Sequence, residues 1–109
     1  MLAKQYRLTE KTDFENVRQT GKFISTPFFS FSFAHTDNES SRFGFIVSKK
    51  ISLRAHERNK VKRVLRAIIG KNLETVKKGV DIVFIAKKLI LKTPFDKIEK
   101  EVKNVLENI

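Results

Sequence analysis

Apolar residues recur along this chain in two rhythms, one helical and one two-residue, and the switches between them mark out successive elements. Over residues 8–21, Phe14 and Val17 mark the apolar side of a short helix. Thr9 or Thr12 can cap it, Thr12 and Glu15 have capping-box spacing, and Gly21 supplies a stop. Over residues 23–34, Phe29, Phe31 and Phe33 alternate with Ser30 and Ser32, and Phe43, Phe45 and Val47 continue the alternation over 42–51. Both runs read as strands. The polar segment HTDNESS (35–41) between them is rich in turn formers, which predicts an antiparallel hairpin. Val61, Val64, Leu65 and Ile68 then follow helical spacing within 56–69, and Gly70 can end that helix. After Gly79, the β-branched run VDIVFIA (80–86) predicts a buried strand covered on both faces. The pattern leaves the state of the following KKLILK open. Thr93 and Pro94 have N-cap and first-turn chemistry, and Phe95, Ile98, Val102, Val105, Leu106 and Ile109 recur at helical spacing to the C-terminus. The predicted order is helix, strand, strand, helix, strand, helix. No linker interrupts it, so the expectation is one α+β domain over residues 1–109 with helices packed on a small sheet.

Composition narrows the function classes. With 40% hydrophobic and 32% charged residues, 109 residues have material for one core, and Phe29, Phe31, Phe33, Phe43 and Phe45 are its candidate aromatic members. There is no Cys, and the two His, His35 and His56, lack metal-ligand spacing. Thiolate and clustered-histidine chemistry are therefore excluded. No run approaches the roughly 18 to 20 apolar residues of a membrane helix, and the first residues lack a signal-peptide core. The expectation is a soluble, untargeted, cytoplasmic protein. No carboxylates cluster as a two-metal site would require, and Asp81, Asp96, Glu99 and Glu101 read as solvated charges. The four Gly are isolated, which leaves neither a phosphate loop nor a nucleophile elbow. No catalytic or metal-ligating residue is assigned.

Charge supplies the positive signal. The net charge is +11, and residues 49–71 carry +8 of it, with nine basic residues against the single acid Glu57. A focal excess indicates a docking surface for a polyanion, because release of condensed counterions drives association with nucleic acid. On the central helix, Val61, Val64, Leu65 and Ile68 point one way while Asn59, Arg63 and Arg66 point the other, with Lys62 beside them. Arg58, Lys60 and Lys62 crowd the first turns, where the helix dipole is already positive and each exposed cation costs roughly 0.3 to 1 kcal/mol. Stability alone would not select that arrangement. Arginine forks can grip phosphate bidentately, and the Asn59 amide can reach a base edge or a 2′-hydroxyl.

The segment RAHERNKVKRVLR, from Arg54 to Arg66, strongly resembles the arginine-rich RNR signature of the bacterial ribonuclease P protein subunit. The resemblance extends over nearly the whole chain, through RLTEKTDFENVRQTG, RFGFIVSKK and GVDIVFIAKK. In two places the chain departs from the pattern. Lys60 stands where the third signature residue is usually Arg, keeping the charge without the fork, and Ala67 follows where Glu is frequent. The resemblance implies that Arg54, Arg58, Asn59, Lys60, Lys62, Arg63 and Arg66 contact a catalytic RNA. It also implies a separate cleft, between the first helix and the sheet, that receives the single-stranded 5′ leader of precursor tRNA. By matching position, Phe14, Arg18, Ser48 and Lys49 would line that cleft, with a core position as the competing reading of Phe14. Hydrolysis would be performed by the RNA, with magnesium bound mainly by RNA and substrate. The implied fold has a small mixed sheet with a left-handed crossover from strand two through the basic helix to strand three. A structural RNA-binding protein, such as a ribosomal component, is the alternative. A helix-turn-helix DNA binder is weaker, because no short helix and turn directly precede the basic helix.

Overall fold

The structure, a computed structural model, describes residues 3–76 and 78–109. Helix α1 spans Lys11–Thr20, strands β1, β2 and β3 span Lys22–Ser25, Phe29–His35 and Arg42–Ile46, and helix α2 spans Ala55–Lys71. Strand β4 (Val80–Ala86) and helix α3 (Phe95–Glu107) complete the fold, with KKLILK contributing a short 3₁₀ turn over Lys88–Lys92.

One sheet holds all four strands in the order β1-β2-β4-β3. The first predicted strand is in fact a hairpin, and Pro27 marks where it folds. Pro lacks the N–H a continuous ladder needs, and Thr26 closes the turn by donating its hydroxyl to the Phe29 carbonyl at 2.7 Å. Lys87 fastens the turn from outside, donating to the Thr26 carbonyl at 2.6 Å. The antiparallel hairpin therefore lies within 22–35, with Phe23 opposite Ser32, and the predicted pairing of 23–34 with 42–51 does not form. Strand β4 enters between those two runs instead, antiparallel to β2 and parallel to β3, with Phe84 opposite both Phe31 and Phe45. The reason is apolarity on both faces. VDIVFIA can be covered twice only at the centre of the sheet, while β1 is exposed along its length.

The two-residue period gives the sheet two unlike faces. Phe29, Phe31, Phe33, Phe43, Phe45 and Phe84 fall on one face and pack with Leu65, Ile68, Val102 and Leu106 of α2 and α3 as the main core. The opposite face presents Ser30, Ser32, Gly44 and Val83, and it meets Leu8, Val17 and Phe14 around α1. Val17 is the only buried residue of α1, an anchor of about 1.5 to 3 kcal/mol. The segment before α1 closes the β3 edge, since the Leu8 N–H donates to the Phe43 carbonyl at 2.8 Å.

Element ends depart from expectation in a consistent way. Thr12 lies inside α1 and Glu10 is its N-cap residue, with no side-chain cap, so the Thr12/Glu15 capping box does not form. Gly70 lies within α2, which runs to Lys71. Thr93 does not cap α3; its hydroxyl donates to the Leu89 carbonyl at 2.7 Å, closing the preceding turn. Phe95 is exposed at the start of α3, under the Lys71 ammonium, rather than in the core.

Candidate nucleic-acid interface

Ser52 organises the entry to the basic helix. Its hydroxyl donates to Glu57 Oε1 at 2.5 Å and accepts the Arg54 N–H at 3.1 Å, so Glu57 supplies the acid favoured in a first turn. That hydroxyl, more than the neighbouring Arg54, His56 and Lys60, holds the Glu57 carboxyl below its ordinary range, against a smaller opposing effect of desolvation. Arg58 donates from Nη1 to the Ser52 carbonyl at 2.9 Å and is half-buried. It braces the loop before it presents anything to solvent.

Beyond that first turn the cations of α2 divide. Arg54, Asn59, Lys60 and Arg63 are exposed and form an outer face, whereas Lys62 and Arg66 are half-buried. Arg66 does not point away from the core as its helical position suggested. Ile69, which the sequence stripe omitted, is fully buried and widens the apolar arc toward Lys62 and Arg66. The Arg66 guanidinium consequently lies over the Phe45 ring at 5.8 Å, with Nε buried and without a hydrogen-bond partner among the described residues. Burial first, and the charge of Arg7 second, lowers its pKa from the ordinary arginine value.

A second surface opens between α1 and β3. This cleft, of about 480 Å³, is lined on the α1 side by Thr9, Lys11, Phe14, Glu15 and Arg18, and on the other by Phe45, Ile46, Val47 and Lys62. Phe14 is half-buried. One side of its ring seats on Gly44 while the residue also lines the opening. Arg18 lines the cleft as well. Ser48 and Lys49 do not; they are exposed in a turn closed by the Ile51 N–H on the Ser48 carbonyl at 3.0 Å, next to the lining residue Val47. Lys11 and Lys62 were missed as cleft residues, although Lys11, Phe14 and Arg18 share one face by the i, i+3, i+7 rule. For Lys62, only the path of α2 past the sheet could have revealed it.

Carboxylates behave differently from expectation at one position. Asp81 is not solvated but 4% exposed, and Arg42 grips it through two of its three nitrogens, Nη2 to Oδ2 at 2.7 Å and Nε to Oδ1 at 3.1 Å. Glu99 pairs with Lys71 at 3.1 Å, while Asp96 stays exposed. Among the described residues no three His, Asp or Glu side chains gather to hold a metal ion. No helix there is long and apolar enough to cross a membrane.

Fold and surfaces together define a small α+β protein, cationic on a helix and again along a cleft floored by sheet. The family model for ribonuclease P matches residues 2–109, and the chain belongs to that family. It is similar to the ribonuclease P protein component of Syntrophomonas wolfei, at 38% identity over 93% of this chain and 84% of the relative. Among solved structures, it resembles the RNase P protein from Thermotoga maritima, with 31% identity, a TM-score of 0.86, and coverage of 94% of this chain and 96% of that one. It also resembles the Staphylococcus aureus RNase P protein, with 25% identity, a TM-score of 0.85, and 94% of each chain covered. The protein is thus a subunit of ribonuclease P, an endoribonuclease holoenzyme that matures the 5′ end of tRNA, and the ribosomal and DNA-binding readings are set aside.

Proposed function

We propose that the two surfaces divide the work of the subunit. The outer face of α2, carrying Arg54, Asn59, Lys60 and Arg63, docks on the catalytic ribonuclease P RNA, with Arg58 bracing the helix start. The cleft between α1 and β3 receives the single-stranded 5′ leader of precursor tRNA. Phe14 offers an aromatic platform there, and Lys11, Arg18 and Lys62 line the path of the phosphates. Arg66 serves the inner edge of α2 next to that path, and Ser48 and Lys49 contribute from the turn beyond Val47. Stacking on an aromatic ring is worth ~1 to 3 kcal/mol per base and is indifferent to sequence, which suits a protein that must accept many leaders. The chemistry of phosphodiester hydrolysis belongs to the RNA, with magnesium held mainly by RNA and substrate, and the compartment is the cytoplasm. The protein raises substrate affinity and lowers the cation requirement of that RNA site.

The observation that carries this reading is the convergence of Phe14, Arg18, Lys11 and Lys62 on one cleft separate from the exposed face of α2. The test compares precursor tRNA bearing a five-nucleotide leader with mature tRNA, using holoenzyme reconstituted from the protein and its RNA. Phe14→Ala is expected to lower the preference for precursor about five- to tenfold while leaving affinity for the RNA unchanged. An unchanged ratio, after correction for folded fraction, removes the leader from this cleft.

A further inference from the structure

Helix α1 carries one wall of the cleft, yet it is thinly attached. Val17 is its only buried residue, and the half-buried Phe14 rests on a glycine. A polar connection supplements these contacts. Arg42, at the start of β3, grips buried Asp81 of β4 through Nε and Nη2 and reaches out with Nη1 to Asp13 Oδ2 of α1 at 3.3 Å. Asp13 directly precedes Phe14 in the chain, so whatever fixes Asp13 fixes the platform beside it. We propose that the Asp81–Arg42–Asp13 chain is a positioning latch that holds α1, and with it Phe14, at the spacing from β3 that admits a single-stranded leader. The inference rests on the proposed leader cleft.

The chain is built for that role. A planar fork can satisfy two carboxylates along fixed directions, which an ammonium cannot. Burial fixes the Asp81 end, whose side chain is 5% exposed, whereas the Asp13 and Arg42 side chains are 28% and 27% exposed, so only the α1 end is free to adjust. Both carboxylates raise the Arg42 pKa, the Asp81 hydrogen bond most and desolvation opposing, so the cation persists throughout the working range.

Electrostatics and positioning predict opposite signs for one substitution. Asp13→Asn removes a negative charge near the path of a polyanion, so a purely electrostatic role predicts tighter leader binding. The latch predicts weaker binding. With holoenzyme containing full-length protein, Asp13→Asn is expected to lower the preference for five-nucleotide-leader precursor over mature tRNA about fivefold, with affinity for the ribonuclease P RNA unchanged. The melting temperature should fall by less than about 3 °C. Asp13→Glu, which keeps the carboxylate, should retain most of the preference. On a Phe14→Ala background, Asp13→Asn should add no further loss, because the latch acts through that ring. A raised or unchanged preference in Asp13→Asn, while Phe14→Ala alone still lowers it, overturns the latch and leaves the cleft standing. If Phe14→Ala alone leaves the preference unchanged, the cleft reading fails and the latch falls with it.

Discussion

Gly44 controls the cleft through the absence of one carbon. A Cβ built there would lie 2.4 Å from Phe14 Cε1 and 3.2 Å from Leu8 Cβ, with sheet below and α1 above. Even the smallest substitution must therefore shift the ring. Gly44→Ala is expected to cost about 1 to 3 kcal/mol of stability by overpacking, measured by denaturant melts, and to lower leader-dependent affinity as Phe14→Ala does. On a Phe14→Ala background Gly44→Ala should cost less stability than it does alone, since the clash with the ring is gone and only the tight approach to Leu8 remains, and leader affinity should not recover, since the platform is gone too. The phenylalanine was visible in the sequence as a helix residue of uncertain depth. Its glycine seat was not, because Gly44 lies within an alternating strand and nothing local says what crosses above it.

At the scale of the element, α2 separates groups that look equivalent in a string of basic residues. Arg63 is exposed on the outer face, and Arg63→Ala should weaken binding to the catalytic RNA by ~1 to 3 kcal/mol with an unaltered melt. Arg58→Ala should lower both affinity and stability, because its guanidinium also satisfies the Ser52 carbonyl. Acid should loosen the same helix start. Glu57 has a depressed folded pKa, so its contribution is present above the ordinary glutamate value of about 4.3 and is lost as pH falls through the folded value. Thermal melts between pH 7 and pH about 3 should show an acid limb attributable to this group, flattened in Glu57→Gln. Much of this element was legible beforehand: its limits to within a residue or two, its apolar stripe and its cationic excess all follow from local pattern. Sheet order was less legible. That 42–46 pairs with 80–86 rather than with 23–34 depends on which strand is apolar on both faces and therefore central, a competition among segments far apart in the chain. Asp81 was misread for the same reason. A lone acid in an apolar strand looks solvated until Arg42 is seen beside it.

For the whole molecule, the decisive quantity is a net charge of +11, of which residues 49–71 carry +8. Each phosphate contact made by a lysine or arginine releases condensed counterion, so affinity for RNA must fall steeply with salt. Removing one genuine contact, as in Arg63→Ala, should reduce the logarithmic salt slope by roughly 0.7 to 0.9. The same physics bears on catalysis. On the proposed function, an RNA active site holding both its own fold and an incoming tRNA concentrates negative charge that magnesium screens as well as taking part in hydrolysis. On that proposal, fixed cations along α2 and the cleft between α1 and β3 relieve the screening requirement without replacing the metal in the reaction. The expected outcome is that RNA-free protein leaves precursor tRNA intact at any magnesium concentration, whereas protein added to its RNA restores 5′ maturation at magnesium too low for the RNA alone. Single-turnover cleavage across a magnesium series, with and without protein, reads this directly. Replacing Arg18 and Lys62 together should shift the protein-dependent curve toward higher magnesium for leader-bearing substrate, while the rate at saturating magnesium stays close to that of the unmodified holoenzyme. Cleavage at the mature 5′ end by protein freed of all RNA would place the chemistry in this chain instead and overturn the division of labour.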